Sequence, residues 1–228
     1  IINAAADTIF TVAVGGHRMT ITHTDGYPVQ PVDAQSLRIG MGERYDVLVQ
    51  AGDGVFPVVA QPAGKSGYGM AVLRSAAGRL PTDPIPAELS AYPAGADMLQ
   101  SVESVRLPRS DPQQNYDLVL SGTMAPYIWT INGATYDRAQ PLTVETGQAV
   151  RLRMSNMSMM THPVHLHGHT FQVGPAGGTG PRKDTLLLPP MTRAEVDLVA
   201  DNPGRWMLHC HNAYHAEAGM MTRLDYTT

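Results

Sequence analysis

The sequence predicts an all-β fold built as a β-sandwich, and three observations carry that expectation. Apolar, β-branched and aromatic residues come in short runs of strand length. The 22 Gly and 18 Pro interrupt those runs often enough for turns to be the joints between them. No long stretch repeats its apolar residues at helical spacing, and there is no internal repeat or low-complexity tract.

Taken in order, residues 1–80 read as a set of short strands. Thr8–Val14 is β-rich, and Met19–Thr22 alternates. Tyr45–Gln50 and Val55–Val59 follow Gly-containing turns. His17 and His23 have no His or Cys companion at ligand spacing and read as surface or hydrogen-bonding residues. Residues 81–113 read as an interdomain linker, since Pro81, Pro84, Pro86, Pro93, Pro108 and Pro112 break any regular apolar spacing. Within it, Ala96–Val105 has room for one or two helical turns, with Met98, Val102 and Val105 on one face.

Residues 114–228 read as a second domain. Asp117–Leu120, Ile128–Ile131, Val150–Met154, Val164–Val173, Glu195–Val199, Arg205–His211 and Met220–Tyr226 are its strand candidates. Asn132-Gly133 is a turn signal after the second of them. In the third, Val150, Leu152 and Met154 face inward while Arg151 and Arg153 face water. Short strands at this spacing make a two-sheet sandwich.

Composition excludes several function classes. With 43% hydrophobic and 16% charged residues and a net charge of -4, the chain has the make-up of a soluble globular protein with one or two cores. The mild acidity argues against a nucleic-acid partner and gives no reason to expect an anionic membrane surface. No apolar run reaches transmembrane length, and no signal peptide is read. The lone cysteine permits no internal disulfide, so cysteine usage does not report the compartment.

That cysteine is the centre of the chemistry. Cys210, His215 and Met220 are spaced Cys-x4-His-x4-Met, and His209 and His211 flank the Cys. A thiolate, imidazoles and a distant thioether suit copper in a trigonal site with a weak axial sulfur. On a strand, Cys210 faces one way while His209 and His211 face the other. Metals on the two faces then lie roughly 10–13 Å apart along the covalent path, close enough for electron transfer. Upstream, His165 and His167 are two apart and share a face, while Pro163 separates His162 from them and leaves it free for another site. A cysteine nucleophile needs one His rather than two clusters, and a zinc site takes four ligands and avoids Met.

The run His-Pro-x-His-Leu-His-Gly-His at 162–169, with His-Cys-His-x3-His and Gly-Met at 209–220, resembles the paired C-terminal motifs of the multicopper oxidases, a family that includes laccases and bacterial copper-resistance oxidases. Asp25-Gly26-Tyr27-Pro28 and Gly42-Glu43-Arg44-Tyr45-Asp46 resemble the family's middle domain, which carries no copper, so the resemblance covers most of the chain. The fold it implies is a cupredoxin-like Greek-key β-sandwich in 114–228, preceded in 1–80 by part of a second cupredoxin-like domain. By position, His162, Cys210, His215 and Met220 resemble the type 1 (blue) copper ligands, His165 the type 2 ligand, and His167, His209 and His211 the type 3 ligands. Cys210, His209 and His211 then form the electron path. His169 matches the motif without being a family ligand.

The family's three-copper cluster uses eight His in four His-x-His pairs. This chain has His165/His167 and His209/His211, besides the overlapping His167/His169. The resemblance therefore implies type 2 and type 3 copper only once an N-terminal cupredoxin domain, of the same protein or another chain, docks here. It implies O2 and a small phenolic, aromatic-amine or metal-ion donor as the other partners, an exported location, and little oxidase activity in this chain alone. Ile1–Ala5 resembles the middle of a domain, which reads as a fragment or a piece completed by another polypeptide. A stand-alone blue-copper electron carrier and an inactive copper-binding remnant are the alternative readings. Tyr214 stands where some family members have an acidic residue for proton delivery, leaving the relay open; Glu217 reads as a solvated loop residue. Trp206 and Met207 read as core. Met154, Met157, Met159 and Met160 could bind Cu(I), and Met159-Met160-Thr161-His162-Pro163 resembles copper-resistance oxidases, but these Met read as gap-fillers beside a metal loop.

Overall fold

The computed structural model describes residues 1–227, which divide into two units, one over residues 1–99 and one from residue 100 onward. Seven strands make up the first unit: β1 (Phe10–Val14), β2 (Met19–Thr24), β3 (Tyr27–Ala34), β4 (Ser36–Ile39), β5 (Tyr45–Leu48), β6 (Val55–Pro62) and β7 (Gly69–Arg74). They form one sheet in the order β4-β1-β6-β7 and another in the order β3-β2-β5. Val12, Met19, Ile21, Leu37, Ile39 and Tyr45 are the buried centre of this unit. Three of these strands escape a propensity reading. Pro28 and Pro31 lie inside β3, which can hold them because it is an edge strand. β4 is only four residues long, and β7 is an exposed edge.

The Pro-rich stretch is not a free tether. Ala94 exchanges backbone hydrogen bonds with Ser36 and Arg38 and belongs to the first unit. Beyond residue 99, the buried Ser101 donates its N–H to Thr179 O and accepts from Arg182 N at its hydroxyl, while Leu107 N donates to Gln172 Oε1. Two 3₁₀ turns, Ala96–Met98 and Glu103–Val105, fall in the segment where helical turns are expected.

The second unit is a sandwich of two sheets. One contains β8 (Gln114–Met124), β9 (Tyr127–Ile131), β11 (Ala149–Asn156), β13 (Phe171–Val173), β14 (Arg182–Lys183) and β16 (Arg193–Val199). Their order is β14-β13-β16-β11-β8-β9. The other contains β10 (Leu142–Val144), β12 (His162–Leu166), β15 (Thr185–Leu188), β17 (Arg205–Cys210) and β18 (Met221–Tyr226), in the order β10-β18-β17-β12-β15. β8 with β11 and β10 with β18 pair in parallel; the remaining neighbours are antiparallel.

Val150, Leu152 and Met154 of β11 are buried. Arg151 on the opposite face is not simply solvated: it lies over Asp197 on the neighbouring strand in a bidentate pair at 2.8 and 2.9 Å. Asn132 and Gly133 both have positive φ, as the turn signal requires. The expected single strand Val164–Val173 is two strands, β12 and β13. Gly168, at φ +66°, breaks it where a Cβ would run into the Trp206 indole.

Candidate metal centre

Register places the chemistry. β12 pairs antiparallel with β17 so that Val164 faces Cys210 and His165 faces His209. Cross-strand partners share a face, and adjacent residues do not. Cys210 therefore points into the sandwich while His209 joins His165 on the other side.

On the inner side, His162, Cys210 and His215 are all buried. Cys210 Sγ lies 3.5 Å from His162 Nδ1 and 3.7 Å from His215 Nδ1, and the two nitrogens are 3.1 Å apart. Trigonal coordination with metal–nitrogen bonds of about 2.0 Å and a metal–sulfur bond of about 2.3 Å gives S–N separations of roughly 3.7 Å. An N–metal–N angle of about 100° gives N–N near 3.1 Å by the same bond length. The observed triangle matches both, so it has room for a metal ion, and a thiolate with two imidazoles is a donor set that suits copper. Among the described residues this is the one group of three or more His, Cys, Asp or Glu whose ligand atoms converge, all within 4.8 Å of one another.

The triangle is braced from behind. Ser158 Oγ lies 2.7 Å from His162 Nε2, leaving Nδ1 for the metal side. Ser158 is itself held by Asn156, whose Oδ1 accepts from Ser158 N and Oγ at 2.9 Å each. Burial, and then the neighbouring His215, lower the His162 pKa to about 3, so the ring is neutral and its lone pair available. His215 sits on a short helix, α1 (Ala213–Glu217), where the sequence reads as loop. The Asn212 side chain caps it by accepting from Tyr214 N and His215 N. Gly219, at φ +116°, turns the chain back so that Met220 N donates to His215 O and Met220 O accepts from Cys210 N. Met220 is fully buried at this junction.

On the outer side, four imidazoles gather. Ring centroids of His165 and His167 are 4.8 Å apart, His167 and His209 5.1 Å, His165 and His211 5.8 Å, and His209 and His211 5.7 Å. His167 Nε2 and His209 Nε2 are 3.0 Å apart. His209 Nδ1 bonds to Cys210 O, which turns Nε2 outward. Burial lowers the His209 pKa to about 4, with the neighbouring imidazoles adding to the effect. His165 Nδ1 meets the Asp184 carbonyl at 2.9 Å and the Thr185 hydroxyl at 3.1 Å, with Asp184 Oδ1 at 3.6 Å. His169 is apart from this group, bonded to Tyr226 OH and His167 O and stacked on the Tyr226 ring.

Sequence reasoning passed over Ser158, Asp184, Thr185 and Trp129. Ser158 lies in the loop four residues before His162, and Asp184 and Thr185 meet His165 across neighbouring strands. Trp129 stacks on His215 with centroids 4.1 Å apart and meets His162 edge-on at 5.1 Å. Its only sequence signal is an aromatic within a strand.

A family model described as multicopper oxidase matches residues 108–228, and a second with the same description matches residues 1–78. The chain belongs to the multicopper oxidase family. Relatives include the multicopper oxidase MmcO of Mycobacterium tuberculosis, 51% identical over 99% of this chain and 45% of that protein. Another is a copper resistance protein A homologue of Pseudomonas syringae pv. tomato, 27% identical over 96% of this chain and 52% of that protein. This multicopper oxidase chain thus spans about half the length of the curated relatives it matches. Its cupredoxin-like fold is shared with solved family members. The crystal structure of Fet3p, a multicopper oxidase that functions in iron import, superposes with a TM-score of 0.83 at 21% identity over 99% of this chain and 54% of that one. A multicopper oxidase from Campylobacter jejuni gives 0.73 at 20% identity over 100% of this chain and 53% of that one.

Proposed function

We propose that this chain is the electron-accepting part of a copper oxidase that couples one-electron oxidation of phenolic, aromatic-amine or metal-ion donors to reduction of O2 to water. In this reading His162, Cys210, His215 and Met220 hold type 1 copper. His165 holds type 2 copper and His167, His209 and His211 hold type 3 copper, together with four further His from an N-terminal cupredoxin domain of the same protein or another chain. Bound copper supplies one-electron redox chemistry at the thiolate and O2 reduction at the imidazoles.

The protein's own residues supply the rest. Cys210 provides a soft thiolate in a buried pocket. Ser158 fixes the His162 ring, and the Asp184 carbonyl with the Thr185 hydroxyl fixes His165. The backbone from Cys210 to His209 and His211 is the covalent path between the two faces. Residues 1–80, part of the metal-free middle domain in this reading, contribute no ligand, and His17 there is engaged with Gly15 O and Gly52 N. By the same family resemblance we place the protein in an exported compartment. No helix of the described residues is long and apolar enough to cross a membrane.

The observation that carries the reading is the pairing of a trigonal Cys–His–His triangle with four imidazoles across one strand. A simple electron carrier needs none of the four. In the test, copper is added to the chain and bound metal, visible absorption and O2 uptake with a phenolic donor are measured, with and without the N-terminal domain. One firmly held copper with an intense blue band, lost in Cys210→Ser, is expected for the chain alone, and O2 uptake only with the added domain. A folded, copper-loaded chain without the band, or full turnover and four coppers from residues 1–228, would refute it.

A further inference from the structure

The metal triangle has a roof. Trp129 is buried, and its indole lies nearly parallel to the His215 ring, 28° between planes, while its edge meets His162. One aromatic side chain thus touches both imidazoles of the triangle. Its backbone is committed as well, because Trp129 N donates to Ala218 O and ties β9 to the end of α1. Two glycines keep room for this arrangement. A Cβ at Gly122 would stand 2.7 Å from Trp129 Cδ2, and one at Gly219 would stand 2.8 Å from Trp129 O. Tyr127, two residues earlier on β9, continues the aromatic cover outward, with its ring 6.0 Å from Trp129 and 6.3 Å from His215.

A tryptophan is not the obvious filler for this space. Its indole N–H is buried and finds no acceptor among the described residues, a burial that costs stability and that a phenylalanine avoids. The broad π face suits a different task. A flat ring against His215 restrains rotation of that imidazole about its own axis, and the edge contact restrains His162. The buried indole covers part of both rings.

We infer that Trp129 is a positioning residue for the metal: it holds the ring planes of His215 and His162 in the trigonal arrangement and slows escape of the ion. The inference rests on the copper reading above. Ligands held in fixed planes give one geometry whether the ion is present or absent, so both metal retention and the thiolate charge-transfer band depend on the indole.

The test uses the full chain loaded with copper. Release to excess EDTA is followed by loss of the blue band, and metal-free variants are melted thermally to separate packing from positioning. Trp129→Leu is expected to release copper about tenfold faster, at the lower end of losses on removing an outer-shell partner, with its visible band shifted. Trp129→Phe, which keeps a ring on both imidazoles, is expected to stay within about threefold of wild type. Should the Leu variant fail to fold, Trp129→Met replaces it as a flexible apolar filler. A third measurement spares the residue: since the chain has 2 Trp, Trp206→Phe leaves Trp129 as the sole indole, and its emission must fall on addition of Cu(II). A Leu or Met variant with wild-type release and band, a Phe variant as fast as Leu, or unchanged Trp129 emission each overturns the inference. A wild-type chain that forms no blue complex refutes the copper reading instead.

Discussion

Replacing Asn156 by Ala removes the key of the loop that backs the metal triangle. Asn156 is fully buried, and its Nδ2 donates toward Met160 O at 2.7 Å, Pro189 O at 2.9 Å and Leu188 O at 3.1 Å. Its Oδ1 accepts from the backbone and hydroxyl of Ser158. An alanine leaves these groups facing a small void. Each buried polar group left without a partner costs about 1–3 kcal/mol, so with roughly two of the five unable to reach water the loss is about 2–6 kcal/mol. The effect reaches the site because Ser158 is the partner of His162 Nε2. Urea unfolding of the metal-free protein measures the loss, since bound metal would add its own linkage. Asn156→Asp is expected to be at least as damaging, because a carboxylate would then face three carbonyl oxygens. A loss below about 1 kcal/mol for the Ala variant would show that the loop is held by other contacts and refute the reasoning.

Three further expectations follow from the same geometry. Gly168→Ala puts a Cβ into the Trp206 indole at a residue with φ +66°, and strain plus overpacking should remove at least about 2 kcal/mol, read as a lower thermal midpoint. Met220→Leu should keep copper and raise its reduction potential through loss of a weak sulfur donor; an unchanged or lower potential takes Met220 out of the site. Acidification should destabilise the metal-free protein. Burial lowers the pKa of His162 to about 3 and of His209 to about 4, so between the usual 6.5 and these values the unfolded chain binds protons that the folded one does not. Stability is therefore fully present above about pH 6.5 and falls below it, by roughly 3 kcal/mol per pH unit while both groups contribute; a flat profile from pH 6 to about 4 would contradict the assigned burial.

Features set by local period can be read from the residues alone. Alternation along β17 already separates Cys210 from His209 and His211, because side-chain direction in a strand depends only on the residue's place in the count. The two-residue spacing of His165 and His167 and the positive-φ turn at Asn132-Gly133 were legible for the same reason. The tertiary structure alone decided the partners. No strand period relates Ser158 to His162, Asp184 to His165 or Trp129 to His215: Ser158 reaches His162 through the fold of the loop four residues before it, while the other two meet where separate stretches of chain pack together. Edge strands with weak propensity, such as β3 and β7, also needed their neighbours to form. Ladder hydrogen bonds from an adjacent strand, not the residues' own preferences, stabilise them. Gly168 belongs to both accounts: a glycine inside a strand pattern signals a break, but only Trp206 packed above it explains why no side chain fits there.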